Sequence, residues 1–443
     1  HTAYRRQRQM CIRDRLYAQE NLPGAHAKHH AEFSKPGFKT EKEYDAHYEI
    51  PKTHGNPLSR KCIVNKQVYG WHPAWSGSSY KQYDFAILNH VGYFAYEVDS
   101  KTGGYTTINH WRETEIVTDA HKSGAQVELT ASLFGKKHVT ELLNNPKATK
   151  TLRDSLLSLI KLKDADGICI DFEGMGSANR APFVAFIDSL RSDLLAYNKN
   201  ASLTLALYAI DWGGAFDIPG LVPFVDRFIV MGYDYHYSGS PHAGPVAPLA
   251  SSEEWGKHSV TTSLEAYLKA GVPKEKLLLG VPYYGYRWNT KKSSPKSATE
   301  GAGTAVLLRH YMKSDSAAML EWDSASTTGY LAGKHEGQPQ QLWIDQGASL
   351  GAKYELVNQM GLGGIGIWAL GYDSGTSKYW DLLKKNFADC NASNTAELAK
   401  EYQPDMPPLE GQTSAERNTW NWVWMLIGGV ISVGIIWLAI RYM

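Results

Sequence analysis

Between about residues 61 and 387, short apolar runs alternate with longer amphipathic or polar stretches, and this alternation restricts the fold more than any other feature of the 443-residue chain. A strand buried on both faces reads as an unbroken apolar run, and the helix that carries the chain back reads as a mixed stretch. The pattern therefore predicts repeated strand–helix units and a parallel sheet. Eight runs qualify, at 67–71, 85–93, 126–132, 167–173, 202–209, 227–233, 276–283 and 363–368. Eight parallel strands close into a barrel of about 250 residues before insertions. The expected fold class is α/β, a (β/α)8 TIM barrel over 61–388. The longest gap, between the seventh and eighth runs, is expected to hold a small α+β insertion at about 289–341, followed by a last helix at about 350–360.

The ends read differently. Residues 1–18 are read as an artefactual stretch containing MCIRDR, joined to the remnant of an export signal with cleavage after Ala18. Residues 19–60 are polar, without a sustained apolar period, and are expected to be flexible or loosely attached. Within them His26, His29 and His30 lack carboxylate or cysteine neighbours at fixed spacing and read as solvated side chains rather than metal ligands. After the barrel, 389–419 is linker-like, with Pro404, Pro407 and Pro408. Residues 422–440 carry no charge. As a helix they extend about 28 Å, close to the thickness of a bilayer core. Trp420, Trp422 and Trp424 at one end, and Trp437, Arg441 and Tyr442 at the other, suit interfacial anchoring, so 420–441 is expected to be a transmembrane helix. Exported and anchored this way, the barrel would lie in the cell envelope, outside the cytoplasm.

Charge excludes one class of partner. Lys+Arg number 46 against 45 Asp+Glu, a net charge of +1, which gives no broad attraction to nucleic acid. The 14 Trp and 26 Tyr exceed what a core needs and suggest flat surfaces on which sugar rings stack. The four cysteines, Cys11, Cys62, Cys169 and Cys390, lack the close pairs of zinc or redox sites, and neither metal nor cofactor is implied. Cys62 precedes the first strand and Cys390 follows the last helix. In a closed barrel these ends are neighbours, so an oxidising compartment could join them, or they remain two separate thiols.

The segment most informative about chemistry is Asp166-Gly-Ile-Cys-Ile-Asp-Phe-Glu173. As a strand it puts Ile168, Ile170 and Phe172 on one face and Cys169, Asp171 and Glu173 on the other. The second face points into the barrel. Two carboxylates about 7 Å apart along the strand are costly to bury unless solvent or substrate reaches them at its C-terminal end. Glu173, beside the companion Asp171, is then the candidate general acid.

This segment resembles the signature Asp-x-x-Asp-x-Asp-x-Glu of glycoside hydrolase family 18, the chitinase-like (β/α)8 barrels, with a flavour of spore-cortex and envelope-associated bacterial members. Two further matches lie in the expected order: Met231-Gly-Tyr-Asp234 ending the sixth strand, and Trp368 ending Gly-Ile-Gly-Ile-Trp in the eighth. The resemblance implies Glu173 as acid, Asp171 as the residue that orients and charge-stabilises the substrate acetamido group, and Tyr233 as its hydrogen-bond donor. Met231 and Asp234 are implied as sugar contacts and Trp368 as the floor beneath the reacting sugar. Trp71, Tyr284 and Asp345 lie where further substrate contacts are expected. The implied nucleophile is the substrate's own N-acetyl oxygen, so no second enzymic nucleophile is sought. The implied partners are glycans containing N-acetylglucosamine: chitin, its oligomers or peptidoglycan-type chains. The other class of reading is a barrel that binds such sugars with weak or no catalysis.

Two departures stand out. Cys169 occupies a position where the family usually has Asp, and a thiol there is a neutral, weak donor. The third strand, Val-Glu-Leu-Thr-Ala-Ser-Leu-Phe-Gly at 127–135, lacks the usual Ser-x-Gly-Gly ending.

Overall fold

The computed structural model describes residues 38, 40–47, 63–312, 320–373 and 377–389. Eight parallel strands form the centre: β1 (Gln67–Pro73), β2 (His90–Val98), β3 (Gln126–Phe134), β4 (Gly167–Glu173), β5 (Ser202–Leu207), β6 (Arg227–Met231), β7 (Leu277–Pro282) and β8 (Gly364–Trp368). Each pairs with its sequence neighbour, and β8 closes on β1 with Gly364 opposite Gln67. The barrel expectation is met. All residues of β4 to β8 are buried, which is why these strands read as continuous apolar runs.

One strand sits elsewhere than expected. The run at 85–93 was read as the second strand, but β2 starts at His90. Ile87 and Leu88 are fully buried within a turn in which both amides donate to the Asp84 carbonyl. An apolar turn wedged under the barrel has a strand's composition without its geometry.

The return helices show ordinary local logic. In Pro146–Lys163, Pro146 opens the first turn and the Asn145 side chain accepts from the Ala148 amide at 3.1 Å. The helix stops at Asp164, whose φ of 57° is left-handed. Its buried stripe, Leu152, Leu156, Leu159 and Ile160, keeps a 3–4 residue spacing facing the sheet.

The insertion is larger than expected. It begins directly after β7 and builds a five-stranded antiparallel sheet from Tyr284–Asn289, Thr304–Leu307, Glu321–Asp323, Thr328–His335 and Gln338–Ile344, with one short helix, Leu308–Met312. In the first of these strands Tyr284, Gly285, Tyr286 and Trp288 are buried and only Arg287 and Asn289 are exposed, so its start blends in sequence with the barrel strand before it.

The reading of 19–60 as loosely attached fails for part of that segment. Glu41–His47 is a helix docked on the turn after β1. Tyr44 is buried, and the Asp45 carboxylate accepts from the Ser78 amide at 2.7 Å and the Ser78 hydroxyl at 2.8 Å. Glu41 of the same helix accepts from the Tyr80 hydroxyl at 3.2 Å, so alternating charge masks a helix held by a buried aromatic and two carboxylates.

A short antiparallel ribbon pairs Ile63 with Asp389, so the two ends of the barrel meet. The proposed Cys62–Cys390 bond lies just outside the described residues, as do 1–37, the linker and the candidate membrane helix at 420–441. Among the described residues no helix is long and apolar enough to cross a membrane.

The strand starts enclose a polar layer in the barrel interior. Glu128 of β3, with no exposed surface, accepts from Ser202 (2.5 Å), Thr204 (3.0 Å), Tyr69 (3.1 Å) and the Arg227 guanidinium (2.8 Å). Arg227 also donates to Gln67 at 2.5 Å and faces the His90 ring.

Candidate active site

The β4 strand splits its side chains as its sequence predicts. Phe172 packs outward on Phe183 and Phe186 of the helix Arg180–Tyr197, with ring centroids 6.1 and 5.8 Å away. Cys169, Asp171 and Glu173 form the other row: Cys169 is sealed, Asp171 retains 5% exposure and Glu173, at the strand's C-terminal end, 9%. Exposure thus grows toward the open end, where a ligand can arrive. Asp166 of the signature does not belong to this site. At the other end of the strand its carboxylate accepts from the Val127 amide at 2.7 Å and meets the His121 ring at 2.8 Å, tying β4 to β3.

The end of β6 turns toward the same place. Tyr233 is buried, and burial together with the charges of Asp171, Asp234 and Glu173 holds its phenol well above the usual range. It is a neutral donor at any physiological pH, set beside both carboxylates. Asp234 follows with φ 61°, a left-handed turn that Asp tolerates better than most residues. It accepts a short hydrogen bond, 2.5 Å, from the Tyr284 hydroxyl. Met231 is buried at the end of β6. The Tyr233 and Tyr284 rings lie 6.1 Å apart, edge to face.

Aromatic rings floor the opposite side. Trp368 ends β8 with 5% exposure, 6.1 Å from Trp71 of β1 and 5.0 Å from Phe94 of β2, and Phe94 in turn meets Trp75 at 6.0 Å. Gly366 makes room for this: a Cβ there would lie 3.2 Å from the Trp71 ring and 2.7 Å from Ile229. The Phe94–Ala95 and Trp368–Ala369 peptides are cis.

Asp345 does not join the site. It is fully buried and paired with the equally buried Lys353 at 2.7 Å, with no surface for a sugar to touch. Its sequence context, Leu-Trp-Ile-Asp, ends an insertion strand, and the partner lies one helix away.

Several site residues escaped the sequence reading. The Tyr208 hydroxyl, just past β5, accepts from the Met175 amide at 2.9 Å and donates to the Phe172 carbonyl at 3.0 Å, clamping the turn that follows Glu173. The inward alternation Ser202, Thr204, Ala206, Tyr208 was the available signal. Phe94 lies one residue beyond the expected end of the second strand, and Trp75 lies in the turn after β1, where no strand alternation points to it. Trp212 stands 70% exposed on the loop after β5, against His258.

Cys169 is a neutral thiol. Burial pushes it well above the ordinary thiol range, and the charges of Glu128 and Asp171 add to the effect. The structure leaves it free of any disulfide.

The comparisons with known proteins agree with this geometry. YdhD of Bacillus subtilis (strain 168), provisionally named a sporulation-specific glycosylase, is 29% identical over 267 residues, covering 58% of this chain and 59% of that protein. A Caenorhabditis elegans protein, provisionally named an endochitinase, is 28% identical over 302 residues, covering 61% and 46%. The chain thus spans about half the length of these relatives. The solved GH18 chitinase of Cycas revoluta in complex with (GlcNAc)3 shares the fold, with a TM-score of 0.64 at 18% identity, covering 72% of this chain and 99% of that one. The profile of the glycosyl hydrolases family 18 matches residues 67–373, more than half of the sequence and all eight barrel strands, and the chain belongs to that family.

Proposed function

We propose that the barrel is a glycoside hydrolase that cleaves β-1,4 bonds next to N-acetylglucosamine by substrate-assisted, retaining catalysis. One observation carries the reading: Asp171, Glu173 and Tyr233 converge at the open end of the barrel, facing an aromatic floor of Trp368, Trp71 and Phe94. Glu173, the most accessible of the three, donates the proton to the leaving oxygen. The Tyr233 phenol, neutral and buried, is suited to hold the acetamido carbonyl so that its oxygen attacks the anomeric carbon. Asp171 steadies the positive charge that develops on the acetamido nitrogen. Asp234, fixed by Tyr284, and Met231 border the same sugar. Relatives whose names and titles mention chitinase activity or a (GlcNAc)3 complex support the substrate class.

The test is fluorophore release from chitobiose and chitotriose conjugates by the wild-type protein and by Glu173→Gln. Release by the wild type that collapses in the variant supports turnover. Equal signals favour the second reading, a sugar-binding barrel, which the departure at Cys169 keeps in view. We also propose that the protein works in the cell envelope with 420–441 as its anchor. Fractionation of cells expressing the chain with and without these residues tests this, and an unchanged distribution would reject it.

A further inference from the structure

Trp212, on the loop after β5, is 70% exposed, whereas every other tryptophan among the described residues is buried or half-buried. A single apolar side chain in water is ordinary by itself. Its setting here is not.

The loop that carries the indole is fixed from several sides. The Asp211 carboxylate accepts from the Ala215 amide at 2.8 Å and from the Phe216 amide at 3.1 Å, and the Trp212 amide donates to the Ile210 carbonyl at 3.0 Å. Gly214 turns the chain with a φ of 60°. The Tyr208 ring, whose hydroxyl clamps the turn after Glu173, lies against Phe216 with centroids 4.9 Å apart. Gly213 packs on that same turn so closely that a Cβ would stand 3.3 Å from the Met175 carbonyl oxygen and from the Gly176 Cα. His258, from the loop after β6, meets the indole edge to face at 4.7 Å. The exposed ring is therefore held in place beside the chain that carries the acid, and a ligand need not order it.

Barrel order supplies a direction. β8, β1 and β2 provide the aromatic floor, and β5 lies four strands from β1, on the far side of the mouth. Glu173, on β4, stands between the floor and the loop after β5. A glycan whose reacting sugar rests on the floor and whose leaving portion continues past Glu173 runs toward Trp212. Pyranose rings present apolar C–H faces with their polar groups around the rim, so an indole can cover a face while the hydroxyls stay in water.

We propose that Trp212 is a stacking platform for an N-acetylglucosamine unit on the leaving-group side of the cleaved bond, selecting glycans that extend past that bond. The side assigned to it rests on the hydrolase reading; the stacking itself does not need turnover, and the test uses that difference. Binding of chitohexaose is measured by calorimetry in Glu173→Gln protein, which keeps the chain whole. Adding Trp212→Ala should weaken binding about tenfold, and Trp212→Phe, which keeps a flat ring, should stay within about threefold of the parent. In the active protein, Trp212→Ala should lower the ratio of kcat/KM for chitohexaose to that for the chitobiose conjugate about tenfold, carried mainly by KM, because the conjugate places no sugar beyond its cleaved bond. If Trp212→Ala does not fold, Trp212→Leu, which keeps bulk without a flat face, takes its place.

Chitohexaose binding that is the same with and without the ring overturns the proposal. So does a loss that Trp212→Phe shares in full, which would assign the indole to holding its loop, and so does an equal fall in kcat/KM on both substrates, which would remove it from the leaving-group side. Should the active protein cleave neither substrate while binding still depends on the ring, the hydrolase reading falls and the sugar platform stands.

Discussion

Glutamine in place of Glu173 removes one transferable proton and almost no volume, so the substitution isolates the acid's role. Under the proposed chemistry kcat for chitotriose release falls about 10²–10⁴-fold with little change in KM. Tyr233→Phe removes a donor without opening space and lowers kcat about 10²-fold. A loss confined to KM would assign the phenol to binding alone. Asp345 behaves differently. Asp345→Asn leaves Lys353 charged and unpaired in a fully buried place, which destabilises the fold by about 3–5 kcal/mol, read from urea unfolding. These contrasts show which residues a sequence exposes. Asp171, Glu173, Tyr233 and Trp368 stand in short motifs at strand ends, where period-2 alternation fixes the direction of each side chain. The alternation of β3 also aims Glu128 inward, but its partners Tyr69, Ser202, Thr204 and Arg227 come from β1, β5 and β6, and no local pattern announces them.

At the scale of elements, the strands that were legible are those whose burial is continuous. β4 begins and ends where the apolar alternation places it, whereas β2 was displaced because the buried turn at Ile87 and Leu88 imitates a strand. The insertion starts earlier than expected for the related reason that Tyr284–Tyr286 continue the apolar run of β7, and only Arg287 and Asn289 interrupt it. The helix Glu41–His47 was missed because seven residues with one buried ring make no period long enough to detect. Its docking can be measured. Asp45→Ala deletes two hydrogen bonds to Ser78 and should loosen the helix by about 1–3 kcal/mol. Amide exchange should quicken at Ser78 and along 41–47 while β4 stays protected; unchanged exchange would mean that Tyr44 and the Glu41–Tyr80 hydrogen bond suffice to hold the helix.

At the scale of the whole molecule, closure joins parts far apart in sequence: β8 to β1, and Ile63 to Asp389. It also seals His72 of β1, hydrogen-bonded to Tyr83 at 2.7 Å, so that burial lowers the imidazole from 6.5 to about 3. The unfolded chain then binds more protons than the folded one between those values. The stability from this group is complete above about pH 6.5 and is lost as pH falls toward 3, by up to about 4 kcal/mol. Thermal unfolding followed from pH 7 to pH 4 should show Tm declining, and His72→Gln should flatten the decline if this histidine is its source.

The sequence alone determined the number and order of the barrel strands, the face on which Asp171 and Glu173 project, and the family, because each depends on spacing within a few residues. Tertiary structure alone decided that Asp345 is an ion-pair partner, that Tyr208 clamps the turn behind Glu173, and that Glu128 lies beneath the site. Those facts depend on which strands a closed barrel brings across its axis. The free energy of a buried charge is set by the partners it finds there, and its neighbours along the chain do not specify them.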